Sequence, residues 1–182
     1  VHRQASTGLK LATDGEFHSF RRQAARWVET GDAVVETVAG GEGVVGRLVE
    51  RTSGFAPHLI MASQVAFGTG HVIGDLEPLA ALADPDGPWV VIDGYHGFMA
   101  VETDLAAIED CIFYLAGGYK YAMAGEGAAL MHAPAGFGAR PVATGWYAEF
   151  DDLSLPPGAV GYAPDARRFL GSTFDPSGLY RF

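Results

Sequence analysis

Lys120 is one of only two lysines in this chain, Lys10 being the other. It ends the run Cys-Ile-Phe-Tyr-Leu-Ala-Gly-Gly-Tyr-Lys (111–120), in which an apolar, strand-like stretch and two glycines deliver an amine to a turn. Asp93 lies twenty-seven residues earlier, in Val-Val-Ile-Asp-Gly-Tyr-His (90–96), where a second apolar stretch ends in an acid and then His96. An amine able to form a Schiff base, with a carboxylate able to hold a protonated ring nitrogen, is the minimum equipment for pyridoxal phosphate chemistry.

Each of these residues also has an ordinary reading. A lone lysine is usually a solvated surface group, but this one follows apolar residues and glycines and stands between Tyr119 and Tyr121. Such a setting favours the neutral, nucleophilic amine. An acid at the end of a buried strand can cap a helix or bind backbone amides. A buried carboxylate nevertheless requires a specific partner, and a pyridinium N–H is one. His96 alone would read as a hydrogen-bonded loop histidine. Cys111, the sole cysteine, is expected to be an inert residue inside a strand. The histidines show no metal-ligand spacing, so no metal is assigned. Gly-Thr-Gly (68–70) and Gly-Glu-Gly (125–127) match neither a P-loop nor a dinucleotide fingerprint. They leave open an unrelated α/β domain that cradles another phosphate ligand. No Gly-x-Ser-x-Gly elbow is present.

The elements that must position these side chains alternate as in an α/β domain. Strands are expected at Leu9–Ala12, Ala33–Val38, His58–Ala62, Trp89–Ile92, Cys111–Ala116 and Ala128–His132. Helices are expected at Ser19–Glu29, Gly43–Arg51 and Asp75–Ala83. Continuous apolar runs such as His58–Ala62 suit buried parallel strands. In open parallel sheets ligands bind beyond the carboxyl ends of the strands, so Ser63-Gln64, Asp93–His96 and Gly117–Lys120 should share one rim. After Pro134 periodicity fades among prolines and glycines. The expected division is a core over 1–133 and an extended connector over 134–182.

Hydrophobic content of 48% and charged content of 19% fit a globular chain. A net charge of −10 argues against nucleic-acid or anionic-membrane surfaces, and no apolar stretch approaches a membrane span. A single cysteine excludes an internal disulfide framework and suits the cytoplasm.

With Val-Ile-Asp-Gly-Tyr-His followed by Tyr-Leu-Ala-Gly-Gly-Tyr-Lys-Tyr, the chain resembles the class V aminotransferase group of fold-type I pyridoxal phosphate enzymes. Within it the likeness is to kynureninases and cysteine desulfurases, and it runs from about Asp14 onward. The resemblance implies the three-layer αβα large domain of that fold, with a mainly parallel sheet. It implies pyridoxal 5'-phosphate as cofactor, an amino acid as substrate, and a homodimer. Lys120 would form the Schiff base and then transfer protons; Asp93 would hold the pyridine nitrogen, and His96 would lie near the phenolic oxygen. Tyr119 resembles the tyrosine that contacts the cofactor phosphate, and Phe17 the ring that stacks on the cofactor. The segment from Ser63 to Gly70 resembles the one lining the cofactor and substrate face. Gly145-Trp146 resembles the pair that reaches the partner subunit's site, and Thr173 the threonine that touches the partner's phosphate, with Ser172 where glycine is usual. The resemblance further implies a phosphate-cup loop upstream of Leu9 and a small C-terminal domain beyond Phe182, so the chain is expected to be most of one large domain. The reaction is expected to be transamination or kynureninase-like carbon–carbon cleavage. No cysteine here matches the desulfurase nucleophile. The alternative is a fragment or pseudoenzyme that keeps the fold without the cofactor.

Overall fold

A computed structural model describes residues 8–182. The chain runs β1 (Gly8–Thr13), α1 (His18–Glu29), β2 (Ala33–Val38), α2 (Val44–Phe55), β3 (Leu59–Ser63), α3 (Glu77–Ala80), β4 (Trp89–Asp93), β5 (Ile112–Gly117) and β6 (Ala129–His132). The strands form one sheet in the order β2-β1-β3-β4-β5-β6. The first five are parallel, and β6 closes the edge antiparallel to β5.

Side chains alternate across a strand, so each buried strand serves two faces. Leu11, Ile60, Val90, Ile92, Ile112 and Tyr114 pack in one cluster with Val44 and Leu48 of α2 and Leu79 of α3. Phe113 belongs to the other face, where it meets Trp89, Val91, Phe137 and Phe169. Helix α1 also lies on that second face: the Nζ of Lys10 sits 5.0 Å from the ring centroid of Trp27. The result is the expected three-layer α/β arrangement, with apolar strands hidden on both sides.

Local chemistry sets the helix bounds. Helix α1 ends where Thr30 Oγ1 donates to the Arg26 carbonyl at 2.9 Å and Gly31 takes a φ of 76°. Helix α2 runs past the expected stop at Arg51 to Phe55, where the Arg51 guanidinium lies over the Phe55 ring. The helix expected over Asp75–Ala83 is only one turn, Glu77–Ala80. Leu82 and Ala83 instead donate to the carbonyls of Leu79 and Ala80, the tighter pattern of turns. Cys111 falls just before β5 rather than inside it, and is half-buried.

Residues 134–182 carry three 3-10 helices, Trp146–Glu149, Ala166–Phe169 and Pro176–Arg181. Their anchor is Arg168, only 2% exposed. Its Nη2 donates to the carbonyls of Pro134 and Phe137 at 2.7 and 2.6 Å. Three carbonyls in all, Gly138 included, depend on this one guanidinium.

Candidate active site

Strand register builds the site. Ser63 pairs with Asp93 across β3 and β4, and Asp93 pairs with Leu115 across β4 and β5. Alternation sends Met61, Ser63, Asp93 and Leu115 to the same face of the sheet at its carboxyl edge, under the start of α1. Together with Phe17, Phe20, Phe67, Tyr95, His96, Tyr119 and Lys120 they line a cavity of about 370 Å³. Six of the residues singled out from sequence, Lys120, Asp93, His96, Tyr119, Phe17 and Ser63, therefore meet in one place. Trp146 and Thr173 do not line it. Both are exposed, and their segments meet, since a Cβ on Gly145, next to Trp146, would overlap the carbonyl of Gly171, two residues before Thr173.

The Lys120 amine makes no hydrogen bond or ion pair with any described residue. It lies 5.1 Å from the Tyr119 ring centroid and 6.0 Å from that of Phe17, so it is bordered by aromatic faces rather than by a fixed anion. Asp93 Oδ1 accepts the Tyr95 backbone N–H at 2.9 Å, the turn-forming bond that the ordinary reading of this acid supplies. Its second oxygen accepts nothing from a described residue. Burial pushes the Asp93 carboxyl above its usual value, against the opposing pull of the Tyr95 N–H, His96 and Lys120. A half-satisfied, part-buried carboxylate beside an amine is the donor set that a cationic ring nitrogen and an aldehyde would complement, so these residues fit pyridoxal phosphate.

Aromatic rings enclose the mouth. Phe67 stacks on the His96 imidazole, with centroids 5.9 Å apart and planes 18° from parallel, and meets the Phe17 ring edge-on at 5.1 Å. Tyr95 packs against Tyr119, and burial raises its hydroxyl pKa.

A second acid beneath the site went unnoticed in the sequence reading. Glu16 is 2% exposed. Its carboxylate accepts from Thr13 Oγ1 at 2.7 Å and from both the backbone N–H and the hydroxyl of Ser63. Burial raises its pKa, those three bonds lower it, and nearby Asp93 raises it further. Its position one residue before Phe17 was the only available signal. The segment from Ser63 to Gly70 divides. Ser63, Val65 and Phe67 line the cavity, whereas Ala66, Gly68 and Thr69 border a neighbouring one and Gln64 turns to the opposite face.

The six-stranded sheet, parallel but for one edge strand and flanked by helices, is a fold that this chain shares with solved structures of pyridoxal phosphate enzymes. The likeness extends to particular solved structures. A cysteine desulfurase from Thermococcus onnurineus NA1 superposes with a TM-score of 0.70 at 17% identity, covering 96% of this chain and 43% of its own. The Escherichia coli cysteine desulfurase CsdA gives 0.66 at 15% identity, with 96% and 43% covered. A variant of C-DES with glycine covalently linked to its PLP cofactor gives 0.63 at 16%, with 96% and 46% covered. The chain thus spans less than half the length of each. No protein-family model matches it, and no curated protein does so significantly.

Proposed function

We propose that this chain is the cofactor-binding core of a pyridoxal 5'-phosphate-dependent enzyme of the class V aminotransferase type, acting on an amino acid through Lys120. One observation carries the reading: Lys120 and the turn that bears Asp93 and His96, distant in sequence, line a single cavity at the carboxyl edge of a parallel sheet. When bound, pyridoxal phosphate supplies an aldehyde that condenses with amines and a ring that withdraws electrons from the substrate's α-carbon.

The chain's residues do the rest. Lys120 Nζ, with no hydrogen bond or ion pair to a described residue and bordered by Phe17 and Tyr119, would serve as the nucleophilic amine and then as the base that takes and returns the α-proton. The second Asp93 oxygen, which accepts from no described residue, would accept the ring N–H, and a cationic ring there would favour the carboxylate that burial alone disfavours. His96, held flat against Phe67, would offer its imidazole to the ring's oxygen. Phe17 supplies an aromatic wall, and the Phe67 ring set edge-on against it narrows the cavity. Tyr119 would reach the phosphate.

Kynureninase-like carbon–carbon cleavage or transamination is favoured over persulfide chemistry at a local thiol. Cys111 precedes β5 and Lys120 follows it, so the strand separates the two along its length. The paired exposure of Trp146 and Thr173 suits a homodimer in which each protomer offers these residues to its partner's site. Residues 134–182 would then be the connector that carries them. The single cysteine supports a cytoplasmic setting. Among the described residues no helix is long and apolar enough to cross a membrane.

The test is borohydride trapping with added pyridoxal phosphate, followed by peptide mass mapping. The label is expected on Lys120 alone. Labelling spread over Lys10 and the amino terminus, or none at all, would overturn the reading.

A further inference from the structure

The turn that carries Asp93 and His96 rests on something the proposed chemistry does not use. Tyr114, in β5, points to the face of the sheet away from the cavity, and its hydroxyl donates to Gln64 Oε1 at 2.8 Å. The Gln64 amide nitrogen donates in turn to Thr103 Oγ1 at 2.8 Å, and that hydroxyl donates to the Val101 carbonyl at 3.1 Å. Gln64 and Tyr114 are 3% and 4% exposed. Burial pushes the Tyr114 hydroxyl up to about 12, so it stays protonated and a donor throughout the range in which the protein would work. That fixes the Gln64 amide with its oxygen toward Tyr114 and its nitrogen toward Thr103.

The turn from Asp93 to Phe98 lies directly on this pair. A Cβ on Gly94 would fall inside the Tyr114 ring, and a Cβ on Gly97 inside the Gln64 amide. Backbone bonds lock the same contact: Gln64 N–H to the Asp93 carbonyl at 2.9 Å, Gly94 N–H to the Leu115 carbonyl at 2.8 Å, and Phe98 N–H to the Gly94 carbonyl at 2.7 Å. Two glycines separated by two residues thus let a turn settle onto a buried polar pair, with Tyr95 and His96 between them aimed at the cavity.

We propose that the Gln64–Tyr114 pair is a positioning device: a seat that sets the Asp93–His96 turn, and through it the orientation of both side chains toward the cofactor. The proposal rests on the pyridoxal phosphate reading of the cavity only for its consequence, and not for the seat itself. Gln64 and Tyr114 touch neither cofactor nor substrate; they act through Asp93 and His96. A buried network is well suited to this, because a side chain with a missing partner cannot turn to water instead.

The test uses Tyr114→Phe in the 182-residue chain. Without cofactor, amide exchange at Gly97 and Phe98 is expected to accelerate about tenfold, the loss of one buried hydrogen bond, while the amides of β2, at the opposite side of the sheet, keep their rates. Pyridoxal phosphate affinity should fall about tenfold. In a chain already carrying Asp93→Asn and His96→Gln, the same Tyr114→Phe change should cost less than about twofold, because a seat with nothing functional upon it no longer matters. Thr103→Val, which frees Gln64 from its other side, should shift exchange in the same direction and keeps the question answerable if Tyr114→Phe does not fold. Unchanged exchange at Gly97 and Phe98 would overturn the seat, and full additivity in the multiple variant would overturn its action through Asp93 and His96. Faster exchange in a chain that takes up no pyridoxal phosphate would uphold the seat and refute the cofactor reading instead.

Discussion

The strand-end cavity and the segment from 134 to 182 hold their side chains in different ways. In the cavity, positions follow from register: Ser63, Asp93 and Leu115 are neighbours across three hydrogen-bonded strands, and a one-residue slip would send all three to the other face. In the later segment nothing comparable exists. Trp146 packs with Tyr147 and Phe150 in a small aromatic group at one short 3-10 helix and the residue after it, and Trp146 and Phe150 stay half exposed. Arg168 ties the segment to the Pro134 and Phe137 carbonyls, and the segment's far end rests on the loop after β5, with Phe182 against Gly118 and Arg181 against Gly125. A site that must hold an amine and an acid in fixed relation is built where the backbone is over-determined. The exposed rings of the later segment lie on a surface held by a few separate tertiary contacts.

The sharpest way to break this contrast is Lys120→Ala. Covalent cofactor attachment should disappear while the circular dichroism and melting curve stay those of the parent, since Lys120 makes no ion pair or hydrogen bond with a described residue. Next in size is Asp93→Asn, expected to weaken pyridoxal phosphate binding by about 30- to 100-fold through loss of a charge-assisted bond to the ring nitrogen, as read by equilibrium titration.

Arg168→Met tests the other side of the comparison. It strands the buried carbonyls of Pro134 and Phe137 and the part-buried one of Gly138, and should cost about 3 kcal/mol in denaturant unfolding. Proteolysis within 134–182 should quicken, yet borohydride labelling of Lys120 should persist. Loss of that label would show that the two regions are not separable.

The smallest effect concerns pH. Glu16 and Asp93 both have carboxyl pKa values raised by burial, so between their ordinary and raised values the native state holds more protons than the unfolded chain. Stability from these groups therefore falls as pH rises through that window and recovers as pH drops below the ordinary carboxylate value. Glu16→Gln should flatten the acid-side slope of unfolding free energy against pH; an unchanged slope would mean that Glu16 is not a buried acid in solution.

Much of this was legible because the strands are apolar runs whose ends carry the only unusual side chains. Val90-Val91-Ile92 announces a buried strand, and Asp93 at its end can only stand at the carboxyl edge. Less legible was which face each residue takes. Gln64 looked like a cavity residue because it follows Ser63, but alternation that puts Ser63 beside Asp93 puts Gln64 on the other side, against Tyr114. Glu16 was hidden by proximity to Phe17, since its partners Thr13 and Ser63 come together only through the β1–β3 pairing. The short α3 reflects Pro78 at its start and the Asp84-Pro85 turn after it, which leave room for little more than one turn. After Pro134 the conformation is set by single tertiary contacts such as Arg168 on the Phe137 carbonyl, and these leave no periodic trace.

The most direct measurement is an experimental structure of the chain after reduction with borohydride in the presence of pyridoxal phosphate. The account predicts density continuous with Lys120 Nζ, the ring lying against Phe17, and its nitrogen within hydrogen-bonding distance of the Asp93 oxygen that Tyr95 leaves free. A ring bound elsewhere, or attached to Lys120 with its nitrogen turned away from Asp93, would contradict it.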